Sequence, residues 1–319
     1  MSNSAESKLT VVVPAYNEEE VLPEFHRRLT AVLDIMDGPC EILYVNDGSS
    51  DGTLAVMEGF RDPRVAVIDL SRNFGKEIAL TAGLDHARGD AVIVIDADLQ
   101  DPPELIPQLV ARWREGYDVV YARRTSRDGD TFLKKLTARL FYRFVQGINR
   151  VKIPADTGDY RLLSRRAVEA LKQLRETHRF MKGLFAWIGF PQIAVNYRRD
   201  RRFAGKTKWN YWHLWNFALE GITSFTITPL KIATYVGLLT SCLSFTYALL
   251  VIYKTLVYGD PVQGYPSLMV VILFLGGLQL MSLGMIGEYL GRIFNESKQR
   301  PLYFINSFQT SWVQDESDQ

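Results

Sequence analysis

Cysteine is scarce. Two in 319 residues, Cys40 and Cys242, are too few for a disulfide framework or a thiolate zinc site. The four histidines stand singly, without metal-ligand spacing. Charge of one sign is also missing. A net charge of +1 creates no global field that would draw nucleic acid. The opening MSNSAESKL is polar and has no apolar core, so no signal peptide is expected. What precedes the first membrane span is then expected to stay in the cytoplasm. No G-x-G-x-x-G follows an apolar run, which leaves a dinucleotide-binding Rossmann site unsupported. Gly205-Lys206-Thr207 is not a P-loop, because Asp200 stands where the earlier glycine belongs.

What is present is a regular alternation. Apolar runs begin at Leu9, Glu41, Val65, Ala91 and Asp118, and segments of helical periodicity (18–36, 75–86, 104–115) lie between them. Strand alternating with helix predicts an open, mostly parallel α/β sheet with helices on both faces. The strands are continuously apolar, as burial of both faces requires. Ligands in such sheets bind at the C-terminal strand ends.

The polar clusters fall at those ends. They are Pro14-Ala15-Tyr16-Asn17-Glu18-Glu19, Asn46-Asp47-Gly48-Ser49-Ser50-Asp51-Gly52-Thr53, Ser71-Arg72-Asn73-Phe74-Gly75-Lys76 and Asp96-Ala97-Asp98. Any one of them is ordinary turn or cap chemistry. Four on one rim make a carboxylate-rich crevice. Asp96 and Asp98, one residue apart at the end of an apolar strand, can converge on one ion. Their hard oxygens suit Mg²⁺ or Mn²⁺, which commonly keep phosphate and water ligands as well.

Two long apolar stretches follow, 232–258 and 267–294, joined by GDPVQGYP. Each exceeds the roughly 20 residues that a helix needs to cross a bilayer. Lys231 precedes the first, Arg292, Lys298 and Arg300 lie at or after the end of the second, and the joining turn has no Lys or Arg. The positive-inside rule then places both termini in the cytoplasm. Gly284, Gly287 and Gly291 would admit another helix, which predicts a homo-oligomer, with a tetramer as one form. Trp209, Trp212 and Trp215 suggest an amphipathic helix at the membrane interface over 208–230. The expected division is 1–207 catalytic, 208–230 interfacial, 231–295 spanning and 296–319 a cytoplasmic tail.

The motifs VVVPAYNEEE, VNDGSSDGT, NFGKEIALTAGLDHARGD, DADLQDPPE and DTGDYRLLSRR, with the two C-terminal spans, resemble the polyprenyl-phosphate glycosyltransferases. These are family 2 inverting enzymes of GT-A fold, of the GtrB and dolichyl-phosphate mannose synthase kind. The resemblance covers nearly the whole chain. It implies transfer of a sugar, with UDP-glucose as the first choice of donor, to an undecaprenyl-type phosphate at the cytoplasmic face of the inner membrane. The product would be β-linked. By the same resemblance Pro14, Tyr16, Glu18 and Asp47 would hold the nucleoside, and Asn73 and Lys76 would line the cleft. Asp96, Ala97, Asp98 and Gln100 would form the diphosphate site, with Asp96, Asp98 and Gln100 at the metal. Arg202 and Lys208 would clamp the diphosphate, although that basic stretch also suits anionic lipid. Arg123, Lys134, Lys135 and Arg139 are candidates for the lipid phosphate. Asp156 or Asp159 would be the base, with Asp156 preferred; either could instead position a sugar hydroxyl.

The resemblance leaves two competitors. A processive polysaccharide synthase shares the donor motifs but usually has more spans and a Q-x-x-R-W motif; here Gln108 and Arg112-Trp113 are one residue too far apart. A membrane-tethered nucleotide-sugar sensor without turnover is opposed by the intact acid pair.

Overall fold

The computed structural model describes residues 8–125, 157–177, 179–197, 228–258 and 264–310. The chain divides into two compact units, Met1–Trp215 with Arg300–Gln319, and Asn216–Gln299.

The first unit is built on one eight-stranded sheet. Its strands are β1 (Leu9–Ala15), β2 (Cys40–Asn46), β3 (Val65–Leu70), β4 (Ala91–Val94), β5 (Val119–Arg124), β6 (Thr157–Ser164), β7 (Gln192–Tyr197) and β8 (Ile305–Thr310), in the order β7-β5-β6-β4-β1-β2-β3-β8. The expected parallel core is there: β4, β1, β2 and β3 run side by side in one direction. β6 departs from it, lying antiparallel between β4 and β5. β8 also runs antiparallel, against β3.

Helices cover both faces. α1 (Leu22–Leu33) turns Leu22, Phe25, Leu29, Val32 and Leu33 inward at helical spacing, joining Val11, Val13, Ile42 and Tyr44 in one core. α2 (Thr53–Glu58) is a short connector. α3 (Lys76–His86) lies on the opposite face, along β1 and β2. α4 (Ile106–Arg114), α5 (Arg165–Gln173) and α6 (Met181–Trp187) complete the layers. The strand ends that matter are set by this topology. β4 and β5 end on the same rim as β1–β3, and because β6 runs backwards it starts there. Extending the pairing of Val94 with Arg161 by two residues brings Asp96 opposite Asp159.

The second unit holds α7 (Thr228–Tyr258) and α8 (Tyr265–Ser297), 31 and 33 residues long. Taken over its described side chains alone, no helix is long and apolar enough to cross a membrane. Side chains within both helices, those of residues 228–234 and 269–270 among them, lie outside that description. So do residues 208–227, where the interfacial helix was expected.

α3 packs closely on the sheet at Gly83. A Cβ there would come within 2.2 Å of Val12 Cγ1 and 3.2 Å of Val45 Cγ2. Both neighbours are branched side chains in the sheet and can only yield by moving the helix. Gly83→Ala should therefore destabilise the domain by about 1–3 kcal/mol despite the better helix propensity of alanine; thermal unfolding of the purified protein measures it.

Candidate active site

The loops after β1, β2 and β3 are tied to one another by hydrogen bonds. Asn17, in the left-handed region at φ 54°, follows the exposed Tyr16. Its N–H donates to Ser49 Oγ (3.0 Å), and its Oδ1 accepts from the N–H of Ser50 (2.9 Å). The Glu18 N–H donates to Thr53 Oγ1 (2.9 Å), and the Gly52 N–H to Glu19 Oε2 (2.9 Å). Asp47 joins the β2 loop to the β3 loop. It is buried, and its two oxygens accept from the N–H groups of Phe74 (2.7 Å) and Gly75 (3.0 Å). Burial pushes its carboxyl up, and those two donors pull against the shift. Gly48 makes the close approach possible: at φ 61°, a Cβ would lie 2.3 Å from the Arg72 carbonyl carbon.

Two of the nucleoside candidates therefore differ in kind. Tyr16 is free to meet a base, whereas Pro14 is buried inside β1. Pro14 is tolerated in a central strand because the β1–β4 pairing stops at Val12. Asn73 is exposed at the rim.

The acid pair follows β4. Asp96 Oδ2 accepts from Lys76 Nζ at 2.7 Å, and the same ammonium donates to Asp159 Oδ2 at 2.6 Å. Lys76 therefore bridges β3's loop to two carboxylates 63 residues apart. Its surroundings resist a charge, but the two carboxylates prevail and hold its pKa well above the ordinary lysine value. The two acids respond oppositely. Burial is the largest influence on each. It raises Asp96, helped by the charge of Asp159, and Lys76 offsets only part of this. In Asp159 the cations Lys76, Lys182 and Arg161 overcome burial and hold the carboxyl far below the usual range. A carboxylate so stabilised is a poor proton acceptor. This weakens the case for Asp159 as the base. Asp156 lies outside the described residues.

The remaining oxygens bear on a metal. Among the described residues, Asp96 Oδ1 is buried with no hydrogen-bond partner, as is Asp159 Oδ1. An unpartnered buried carboxylate oxygen is costly unless something fills the place. Asp98 Oδ1 accepts from the N–H of Gln100 (3.1 Å). Between them Leu99 holds a left-handed φ of 58° with its side chain buried, a strained turn maintained by packing. Ala97 is buried beneath it. Among the described residues no three His, Cys, Asp or Glu side chains converge as a cation cage. The hard carboxylate of Asp96, with its unpartnered oxygen two residues from the carboxylate of Asp98, fits a divalent ion that completes its shell with phosphate and water.

Several residues at the site lie within the quoted motifs but were not singled out in the sequence. Asp101 is buried and accepts from the Tyr197 hydroxyl, with Arg124 Nη2 at 3.9 Å, which ties the β4 loop to β5 and β7. Arg161 is buried, its guanidinium 3.7 Å over the Phe185 ring. Glu77, beside Lys76, accepts from the Met181 N–H at 3.1 Å. Of the lipid-phosphate candidates, Arg123 is an exposed residue of β5, and its Nε donates to Asn196 Oδ1 (2.9 Å). Lys134, Lys135 and Arg139 lie outside the described residues, as do Arg202 and Lys208.

Comparison with known proteins is decisive at this point. Residues 10–172 match the family "Glycosyl transferase family 2", and residues 228–293 match "GtrB C-terminal hairpin". The chain belongs to glycosyl transferase family 2. It is 56% identical over 94% of its length to an uncharacterized glycosyltransferase of Synechocystis, 95% of which is covered. It is 49% identical to the bactoprenol glucosyl transferase of Shigella phage SfV, over 94% of this chain and 98% of that one. Among solved structures, mannosyl-3-phosphoglycerate synthase from Rubrobacter xylanophilus is a distant likeness: 21% identity, TM-score 0.46, covering 67% of this chain and 71% of its own.

Glu77 gives the site a measurable pH signature. Burial, and then the charge of Asp159, push its carboxyl up from 4.5 to about 7, against the pull of Lys76 and Lys182. A raised pKa means that the folded chain holds this proton more tightly than the unfolded one. That contribution to stability is complete below the ordinary value of 4.5 and is lost as pH rises through about 7. Glu77→Gln keeps an acceptor for the Met181 N–H and removes the titration. The melting temperature of the variant, relative to wild type, should rise between pH values of about 5 and 8.

Proposed function

We propose that this chain transfers glucose from UDP-glucose to the phosphate of an undecaprenyl-type polyprenol, with inversion, at the cytoplasmic face of the inner membrane. The carrying observation is near-full-length similarity, at 49% identity, to a protein named bactoprenol glucosyl transferase, together with the matching hairpin. The site supports the reading chemically. Rim loops tied together around Asn17, Asp47 and Asn73 offer a nucleoside cradle. The acid pair offers a diphosphate site. A bound Mg²⁺ or Mn²⁺ would offset the charge that builds on the departing nucleoside diphosphate. Asp96 and Asp98 would hold that ion, and Lys76 would keep Asp96 oriented. Arg202 and Lys208 are proposed as the diphosphate clamp.

The acceptor needs little activation. The second ionisation of a phosphate monoester lies near 6, so at neutral pH it is already largely a dianion. Membrane anchoring confines the enzyme to the surface where that headgroup lies, which removes much of the encounter entropy. We place both hairpin helices across the membrane. Residues 232–253 and 265–287 carry no charged side chain. At about 1.5 Å per residue each reaches some 33–35 Å, against about 30 Å of hydrocarbon. β7 precedes the hairpin and β8 follows it, and both belong to one sheet. A chain that leaves a sheet, crosses a membrane and rejoins that sheet crosses an even number of times. Two spans with the catalytic unit and both termini on the cytoplasmic side satisfy this. Among the described residues, nothing lies within 4 Å of a Cβ built at Gly284, Gly287 or Gly291 of α8, and glycines at this spacing let another helix approach closely, which supports a homo-oligomer.

The deciding assay supplies purified protein with polyprenyl phosphate and a panel of labelled nucleotide sugars. A single-sugar, lipid-extractable product supports the reading. A growing polymer indicates a processive synthase, and nucleotide-sugar binding with no nucleoside diphosphate released on adding lipid indicates a sensor. Chelation by EDTA should abolish transfer, and Mg²⁺ or Mn²⁺ alone should restore it. Crosslinking in native membranes should trap species larger than a monomer.

The two acid positions should separate by magnitude. Asp98→Asn withdraws charge stabilisation where the leaving group departs, a loss on the order of 10²–10³ in rate. Asp156→Asn removes a base from a pre-ionised acceptor, so much of the roughly 10²–10⁴ that a base supplies is dispensable. Asp98→Asn should be the more damaging at pH 8. The Asp156→Asn defect should shrink from pH 6 to 8 as the acceptor ionises. A pH-independent, near-total loss in Asp156→Asn would overturn the pre-ionised acceptor.

A further inference from the structure

β8 is separated from the rest of the catalytic sheet by the whole helical hairpin, yet its side chains reach the rim. Its pairing with β3 is regular from Thr310 to Ser307, which lies opposite Asp69. The register then shifts, and Leu70 pairs with Ile305. Asn306 is the extra residue at that bulge. Bulges re-aim side chains, and this one directs Asn306 along the sheet edge. Its Nδ2 donates to Asp69 Oδ2 at 2.8 Å. The other oxygen of Asp69 accepts from Asn46 Nδ2 at 2.7 Å. Asn46 then uses its own Oδ1 to accept from the N–H of Ser49 at 3.2 Å, which closes the turn after β2. Ser49 in turn holds Asn17 through its hydroxyl (3.0 Å).

Asp69 and Asn46 are both buried. A buried carboxylate demands donors, and the two that Asp69 has among the described residues are neutral amides, one from the rim and one from the tail strand. If the Asn306 amide is lost, Asp69 must find a replacement donor. Solvent and a turn of Asn46 away from Ser49 are the routes open to it. The backbone joining Asn46 to Ser49 includes Asp47, whose oxygens fix the β3 loop.

We infer that Asn306 is a positioning residue for nucleotide binding. Through Asp69 and Asn46 it sets the turn at 46–49, so the segment that follows the hairpin completes the donor pocket of the domain that precedes it. This rests on reading the β2 loop as part of the donor site. The same strand supplies a control: Gln309 Nε2 donates to Glu58 Oε1 at 2.7 Å on α2, outside the relay.

The test uses the full chain in nanodiscs. Two readouts are followed, amide exchange over 46–53 and KM for the nucleotide sugar against kcat. Asn306→Leu should speed exchange over 46–53 and raise the donor KM about tenfold, with kcat within about twofold. Gln309→Ala should do neither. Asn306→Asp sets a second carboxylate against Asp69 and should raise KM at least as far. Adding Asp69→Asn to it rebuilds the relay with the donor reversed, and should bring KM back to within about threefold of wild type. Unchanged exchange in Asn306→Leu overturns the inference. So does an equal KM rise in Gln309→Ala, because that means the strand acts only by docking. If exchange is faster in Asn306→Leu while the wild-type protein transfers no sugar, the relay stands and the transferase reading falls instead.

Discussion

The site depends on one ammonium placed between two carboxylates. Asp96 lies two residues beyond the central strand β4 and Asp159 near the start of the antiparallel strand β6, and the strand register, extended by two residues, brings them face to face. At an effective dielectric of about 20, like charges some 4 Å apart repel by roughly 4 kcal/mol. Without Lys76 either one of the two would take up a proton or the repulsion would push the segments that carry them apart. With Lys76 bonded to both, the β3 loop, β4 and β6 are locked together at the rim. Because Lys76 is also the first residue of α3, the helix that packs on the sheet through Gly83 fixes the ammonium. Core packing on one side of the sheet thus sets the geometry of charges at its end.

The same logic recurs along the rim. Buried carboxylates serve as fasteners, accepting from donors on other loops and strands. Asp47 gathers two N–H groups of the β3 loop, Asp69 gathers amides from β2 and β8, and Asp101 gathers the Tyr197 hydroxyl. Charge-assisted hydrogen bonds are roughly twice as strong as neutral ones, and burial makes breaking them costly. Acids that resemble ligands when read in sequence therefore divide into two classes. Those whose oxygens are all used hold the loops in place. At the rim, Asp96 and Asp159 each keep a buried oxygen that has no hydrogen-bond partner among the described residues.

That division explains what the sequence could and could not disclose. The parallel core was legible, because buried strands must be continuously apolar and β1 to β4 are. The position of Asp96 and Asp98 at the rim was legible, because an apolar strand runs straight into them, but the ion pair of Asp96 with Lys76 was not. Asp47 was singled out for a nucleoside, and its role as a pin was not foreseen, since nothing local reveals which N–H groups lie nearby. β6 was hidden because it starts in the polar stretch TGDY, and Asp159 is joined to its partners only through an antiparallel register. β7 and β8 were missed for a related reason: short edge strands carry half-polar patterns that local propensity does not distinguish from loops. The tail was expected to be a separate segment, and only long-range pairing makes 305–310 part of the sheet.

The position of β8 also constrains how the molecule can form. An edge strand that arrives after the hairpin cannot pair with β3 until the hairpin has been made, so the sheet is closed late. Long-range pairing of this kind is entropically expensive, but the cost grows only slowly with loop length. Roughly a hundred residues between β7 and β8 add little beyond what a shorter excursion would. The pairing gains a protected edge: β3 would otherwise present unpaired backbone groups to solvent and to other chains. Its far side is covered by the chain's own end, and the amide that Asn306 brings there meets a carboxylate already in place on β3. Sheet closure and completion of the rim are therefore one event, since the same six residues pair with β3 and bring Asn306 to Asp69.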